Sequence, residues 1–180
     1  MSGVGRVIAG TSGSPGSLRA LRYAEVLARA HDVALVPVIA WVPPEGDRAP
    51  RLHSCPLCQV WHDLACQRLR DALTAVWGEV PDDPRVQPHV ERGPAGWVLV
   101  SIARRPGDLL VVGAGRRGAL ARAVSCQVSR YCVAHAQCPV LTVPPAALAQ
   151  EVRHGRLARA FWHRTLTPAR VLQDQDRPAG

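Results

Sequence analysis

The sequence predicts an α/β fold: a five-stranded parallel sheet with helices on both faces, followed by a C-terminal helical extension. Three observations carry this. Near-continuous apolar runs such as Val33 to Trp41 and Leu109 to Val112 read as strands buried on both faces. Between the strands, apolar residues recur at helical spacing. Glycine, serine and proline cluster where one pattern gives way to the other. Strand and helix then alternate along the chain, which implies right-handed crossovers and a ligand at the carboxyl ends of the strands.

Arg6 to Gly10 is the first strand, closed by the turn Thr11 to Gly16, in which Ser14 can cap a helix and Pro15 suits its first position. Leu18, Leu21, Ala24, Leu27 and Ala28 line the core face of that helix. Val33 to Trp41 is the second strand, and Pro43 to Pro50 is a loop. Trp61, Leu64, Ala65, Leu69, Ala72, Leu73 and Val76 then share one face of a long helix, with Asp63, Arg70 and Asp71 opposite. Pro81 to Pro84 breaks the chain before a third strand, Val86 to Glu91, and Gly93 to Gly96 opens a short helix through Ala103. The fourth strand is Leu109 to Val112. After a glycine-rich turn, Leu120, Val124, Val128, Tyr131, Cys132 and His135 line a further helix, where His135 can hydrogen-bond the terminal carbonyls. Pro139 to Val143 is the fifth strand.

A chain of 180 residues, 47% of them hydrophobic, supports one core and not two. The domain is expected over residues 1–145. Residues 146–180 read as a basic extension: Ala146 to Leu166 has a helical pattern interrupted by Gly155, and the end reads as disordered. The longest uncharged apolar run, Val33 to Pro44, is too short and proline-broken to span a bilayer, and no leader pattern opens the chain. A cytoplasmic location and no membrane partner are expected. Six irregularly spaced cysteines read as reduced thiols.

All 22 basic side chains are arginine. The absence of lysine excludes a Schiff base, a Walker-type phosphate lysine and a lysine general base. The net charge of +8 favours anionic ligands, but the arginines are scattered and aromatics are only 4%, so no specific nucleic-acid partner is expected.

The segment Asp108 to Gly118 carries the most chemistry. A buried strand runs into Gly113, Gly115, Arg116, Arg117 and Gly118, and a helix follows. Glycines let backbone N–H groups approach an anion, the helix dipole points at it, and guanidinium groups complete the charge match. Gly113, Gly115 and Gly118 also fit a dinucleotide fingerprint. They follow the fourth strand instead of the first, however, and the next acidic residue is Glu151, so a dehydrogenase is not expected.

Cys55 and Cys58 form a C-x-x-C pair near His53, with His62 and Cys66 one helical turn apart, a set that can supply a tetrahedral Cys₃His zinc site or a thiol redox pair. Against this, the pair lacks a second partner pair, and the helix needs its apolar face for the core. No catalytic constellation is otherwise present.

The ending His135-Ala136-Gln137-Cys138-Pro139-Val140-Leu141, with the Gly13–Ser14 turn after the first strand and the glycine-rich turn after the fourth, resembles the universal stress protein family over about residues 4 to 145. The resemblance implies a Rossmann-like sheet, a homodimer through the last strand (139–143), and a role in stress adaptation instead of catalysis. In ATP-binding members the nucleotide lies over the first strand's end and the glycine-rich turn. That maps a cofactor site to Thr11, Ser12, Gly113, Gly115, Arg116, Arg117, Gly118, Cys126 and Gln127. Two departures stand out. Ser12 occupies the place of an aspartate that contacts adenosine, and the Gly-x-x-Gly and Gly-Ser positions read Gly113, Arg116 and Cys126-Gln127, so only the first glycine matches. The expected function is a small binding or regulatory module, with an unidentified protein partner in addition to its own copy. The alternatives are an ATP-binding member whose Arg116 and Arg117 hold the phosphates, with weak hydrolysis at most, and a zinc or thiol sensor through Cys55, Cys58 and Cys66.

Overall fold

The computed structural model describes residues 3–43, 56–114 and 122–144, all within one compact unit, Met1–Pro145. The extension 146–180 and the glycine-rich turn at 115–118 lie outside the described residues. Strand and helix alternate as β1 (Arg6–Gly10), α1 (Pro15–His31), β2 (Ala34–Trp41), α2 (Pro56–Trp77), β3 (His89–Arg92), α3 (Ala95–Ile102), β4 (Asp108–Gly113), α4 (Arg122–His135) and β5 (Val140–Val143). The five strands lie in the order β3-β2-β1-β4-β5, and every neighbouring pair is parallel.

Side-chain alternation divides the interior into two layers, as strands buried on both faces require. On one side Val7, Ala9, Leu35, Ile39, Val111 and Val143 meet α1 and α2 through Ala20, Leu21, Ala24, Leu69 and Leu73. On the other, Ile8, Val36, Val38, Leu110 and Val112 meet α3 and α4 through Val98, Leu99 and Cys132.

The helix-start chemistry works as its residues dictate. Ser14 caps α1, its Oγ accepting from the Ser17 N–H at 3.3 Å, and Pro15 fills the first turn, where no partner for an N–H is needed. The helix stops at Asp32, held in the left-handed region at φ 52°, a conformation that aspartate tolerates better than most residues.

Two expectations need correction. The third strand is not continuous from Val86: β3 begins at His89, and Val86 makes only an isolated bridge to Leu35. The cause is Pro37. Leu35 turns both its N–H and its carbonyl toward this edge, bonding Arg85 O at 2.9 Å and Gln87 N at 2.8 Å. Pro37, two residues on, therefore also faces that edge but has no N–H to give, and the ladder skips a step there. In α2, which starts at Pro56, five residues before Trp61, the core stripe is narrower than predicted. Ala65, Leu69, Ala72 and Leu73 are buried, whereas Leu64 is 43% exposed, because it lies about a third of a turn off the stripe's centre.

Candidate functional site

The chain leaves β1 in one direction, toward β2 and β3, and returns to build β4 and β5 on the other side of β1. Strand order thus reverses between β1 and β4, and in an open parallel sheet the crevice at the carboxyl ends of such a pair is where ligands bind. Ala9 pairs with Val111, which sets Gly10 beside Val112 and brings the β1–α1 turn against the end of β4. The fit is close. A Cβ at Gly113 would lie 2.9 Å from the Gly16 carbonyl oxygen and 3.0 Å from its carbon, so only glycine lets the tip of β4 pass the first turn of α1.

The β1–α1 turn is lined with hydroxyls. Ser12 Oγ lies 3.1 Å from Ser14 Oγ and 3.3 Å from Ser17 Oγ, Ser14 Oγ lies 3.2 Å from Ser17 Oγ, and the Ser12 N–H donates to Ser17 Oγ at 3.2 Å. Ser17 is buried and ties the turn together, while Ser12 and Gly13 are exposed. Gly13 takes φ +75°, which a glycine adopts without strain. No acidic residue stands in the first turn of α1, so its positive end is not neutralised locally. Thr11 continues the β1 ladder, its N–H donating to Val38 O at 2.8 Å. Alternation from Val7 and Ala9 places its side chain on the α1 side of the sheet. Thr11 is only 7% exposed, and its Oγ1 is buried without a hydrogen-bond partner among the described residues.

Along the same rim, β2 and β3 end in Trp41 and Arg92. The Arg92 guanidinium carbon sits 5.9 Å from the centre of the Trp41 ring, and His62 of α2 meets that ring edge-on at 6.1 Å. This aromatic and cationic corner was missed in the sequence, because its members are about 20 to 50 residues apart and no local pattern joins them.

Of the expected cofactor residues, the fold brings Thr11, Ser12 and Gly113 together. Gly115, Arg116, Arg117 and Gly118 lie outside the described residues, as does the Cys126 side chain. Gln127 lies inside α4, exposed. His135, in the last turn of α4, brings its Nδ1 to 2.9 Å from Tyr131 O, as its place near the terminal carbonyls implied.

Of the described cysteines, Cys58 and Cys132 are buried and Cys66 and Cys138 are partly buried. Cys58 is buried in the core between the sheet and the helices α1 and α2. Cys66 Sγ lies 3.8 Å from the His62 ring nitrogens, and Cys55 and His53 lie outside the described residues. Among the described residues no group of three or more His, Cys, Asp or Glu is placed to hold a metal ion. Burial pushes the Cys132 thiol up to about 11 and raises Cys138 as well, so neither is a ready nucleophile at neutral pH.

The strongest charge pair lies at the opposite, amino end of the same two strands. The Arg6 fork donates from Nε and Nη2 to the two Asp108 oxygens, each at 2.8 Å. Arg6 Nη2 also reaches Ile102 O at 3.0 Å, and the Arg105 N–H donates to Asp108 at 2.8 Å. Burial alone would raise the Asp108 carboxyl, but the bonds from Arg6 and the Arg105 amide outweigh it and hold it below the usual carboxylate range.

Sheet order, paired strand tips and a glycine-dependent close approach together define an open parallel α/β domain whose topological switch point lies between β1 and β4. The chain belongs to the universal stress protein family, whose model matches residues 3–144. No curated protein matches it by sequence at a significant level. Among solved structures it is similar to the universal stress protein UspA from Lactobacillus plantarum, with 20% identity and a TM-score of 0.60 over 79% of this chain and 99% of that one. It is also similar to a universal stress protein in complex with cAMP, with 23% identity and a TM-score of 0.51 over 81% and 100%. A protein of the family from Burkholderia pseudomallei gives 20% and 0.50 over 78% and 96%. At these identities the likeness establishes the fold. Among the described residues no helix is long and apolar enough to cross a membrane.

Proposed function

We propose that this protein is a nucleotide-binding regulatory module of stress adaptation, without a reaction of its own, that takes a phosphorylated nucleoside between the tips of β1 and β4. The observation that carries this reading is the switch-point crevice itself, where Gly113 lets β4 close on α1 and the acid-free amino end of α1 faces the opening. The similar universal stress protein in complex with cAMP supports the ligand class. ATP is the finer form of the reading: Arg116 and Arg117 follow Gly113 in sequence and would hold its phosphates bidentately, while Ser12 removes a carboxylate from the adenosine side. The module acts as a homodimer joined along the β5 edge.

Thermal shift with ATP and magnesium, and separately with cAMP, tests the reading. A ligand that binds only the folded state adds about 2.7 kcal/mol of stability at a hundred times its Kd. A rise in Tm is therefore expected with at least one of the two. Unchanged melting with both at millimolar concentration refutes nucleotide binding. Arg116→Ala and Arg117→Ala leaving ATP affinity intact would remove those residues from the site.

A further inference from the structure

A second cleft lies at the other end of the sheet from the switch-point crevice, where the second half of α1, the last residue of α2 and the segment 81–86 meet the start of β2. Leu35, Val86 and Trp77 give it an apolar wall, and Glu25, Arg29, Asp83 and Arg85 supply two acids and two bases. Asp83 and Arg85 satisfy each other, Nε and Nη2 of the arginine donating to the two carboxylate oxygens at 3.1 and 2.9 Å. Glu25 and Arg29 are left incomplete. Both partners of Glu25 meet one oxygen: the Trp77 Nε1–H donates to Oε1 at 2.7 Å, and Arg29 Nη2 lies 2.8 Å from the same atom. No hydrogen bond among the described residues reaches Oε2. A plain surface pair would keep both side chains in water, but the Glu25 side chain is only 19% exposed and is fixed by the indole. A largely buried carboxylate oxygen without a donor is costly. Arg29, 69% exposed, engages Glu25 through one nitrogen and keeps the rest of its fork for an acceptor. The enclosed space is about 60 Å³, well below the roughly 150 Å³ that takes a benzene ring, so only a short aliphatic group can be enclosed.

We infer that this cleft binds a free α-amino acid with a short aliphatic side chain, its ammonium on Glu25 Oε2, its carboxylate on the unused N–H groups of Arg29 and its side chain against Leu35, Val86 and Trp77. The two unfilled positions, an acceptor and a donor fork, belong to neighbouring side chains of opposite sign, which is the pattern a zwitterion completes. The lining charges sum to zero, as do those of the ligand, so neither a simple amine nor a simple acid matches the cleft as well. The site is separate from the nucleotide crevice and does not depend on that reading.

Isothermal titration of the full chain with L-valine, valinamide and N-acetylvaline tests the assignment, with Glu25→Gln and Arg29→Gln alongside. Valine is expected to bind, and the two derivatives, which lack the carboxylate and the ammonium respectively, should bind about tenfold more weakly or worse, as the loss of a charge-assisted hydrogen bond requires. Each variant should weaken valine by a similar factor. Glutamine at position 25 keeps an acceptor for the Trp77 indole, and Arg29 is exposed, so both variants should melt close to the wild type and a loss of binding is not a loss of fold. If valinamide or N-acetylvaline binds as tightly as valine, the zwitterion is refuted. If Arg29→Gln and Glu25→Gln leave valine affinity unaltered, the ligand lies elsewhere and the cleft is only a gap in packing. No heat from valine at millimolar concentration overturns the inference outright and leaves the nucleotide reading untouched.

Discussion

At the scale of single residues, Asp108 shows how one charge is made permanent by its surroundings. Its side chain is 1% exposed and that of Arg6 17%, so removing one partner strands the other in low dielectric. Asp108→Asn should cost on the order of 3 kcal/mol near pH 7. The pH dependence follows from the direction of the shift. The folded carboxyl titrates below its unfolded value of about 3.9, so its contribution is complete above that value and is lost as pH falls through the lowered folded pKa. Urea midpoints of wild type and Asp108→Asn should therefore converge in acid; a gap unchanged down to pH 2 would mean that the pair contributes through shape and not charge. In the sequence Asp108 looked only like the residue before a strand, since its partner is 102 positions away. Ser12 was the opposite case: the resemblance marked it, because it stands where a local pattern calls for a carboxylate.

At the scale of elements, glycines record which surfaces must touch. Gly113 faces backbone, with an added Cβ 2.9 Å from Gly16 O; Gly96, in the first turn of α3, faces the Tyr131 ring of α4, with an added Cβ 2.8 Å from Cδ1. Both alanine substitutions should destabilise by about 1–3 kcal/mol, but they differ in repair. Trimming Tyr131 to alanine should cost less in the Gly96→Ala background than in the wild type, because it relieves the clash. No side-chain trim reaches the backbone conflict at Gly113. Thermal melts of the Gly96→Ala and Tyr131→Ala cycle measure this, and strict additivity would show that α3 and α4 can slide apart. Element types and most boundaries were legible, since apolar periodicity and turn residues are local signals. The late start of β3 was not, because its cause is Pro37 on the neighbouring strand, visible only once register is known. The Trp41, Arg92 and His62 corner shares that limitation, and it is the fold that assembles it.

For the whole molecule, the parallel sheet covers both faces with helices but leaves its two edge strands, and these differ. β3 presents His89, Glu91 and Arg92, charged or titratable groups that discourage pairing. β5 presents Val140, Leu141, Thr142 and Val143, with no charge, which makes it the edge along which two copies can extend one sheet. The ladder shows how to test this without damaging the domain. Leu110 N bonds Pro139 O at 3.0 Å, and Ala114 N bonds Val143 O at 2.9 Å. Odd-numbered residues of β5 therefore turn their backbone groups inward, and the N–H groups of Val140 and Thr142 point outward. Thr142→Pro deletes an outward donor while keeping every bond to β4, as proline on an edge strand can. Light scattering should find a dimer for the wild type and a monomer for Thr142→Pro, with the melting temperature lowered only by the loss of association. Val143→Pro, which removes an inward N–H, should instead unfold the edge of the sheet itself. A dimer that survives Thr142→Pro would place the interface elsewhere, and the uncharged character of β5 would then reflect only its packing against α1.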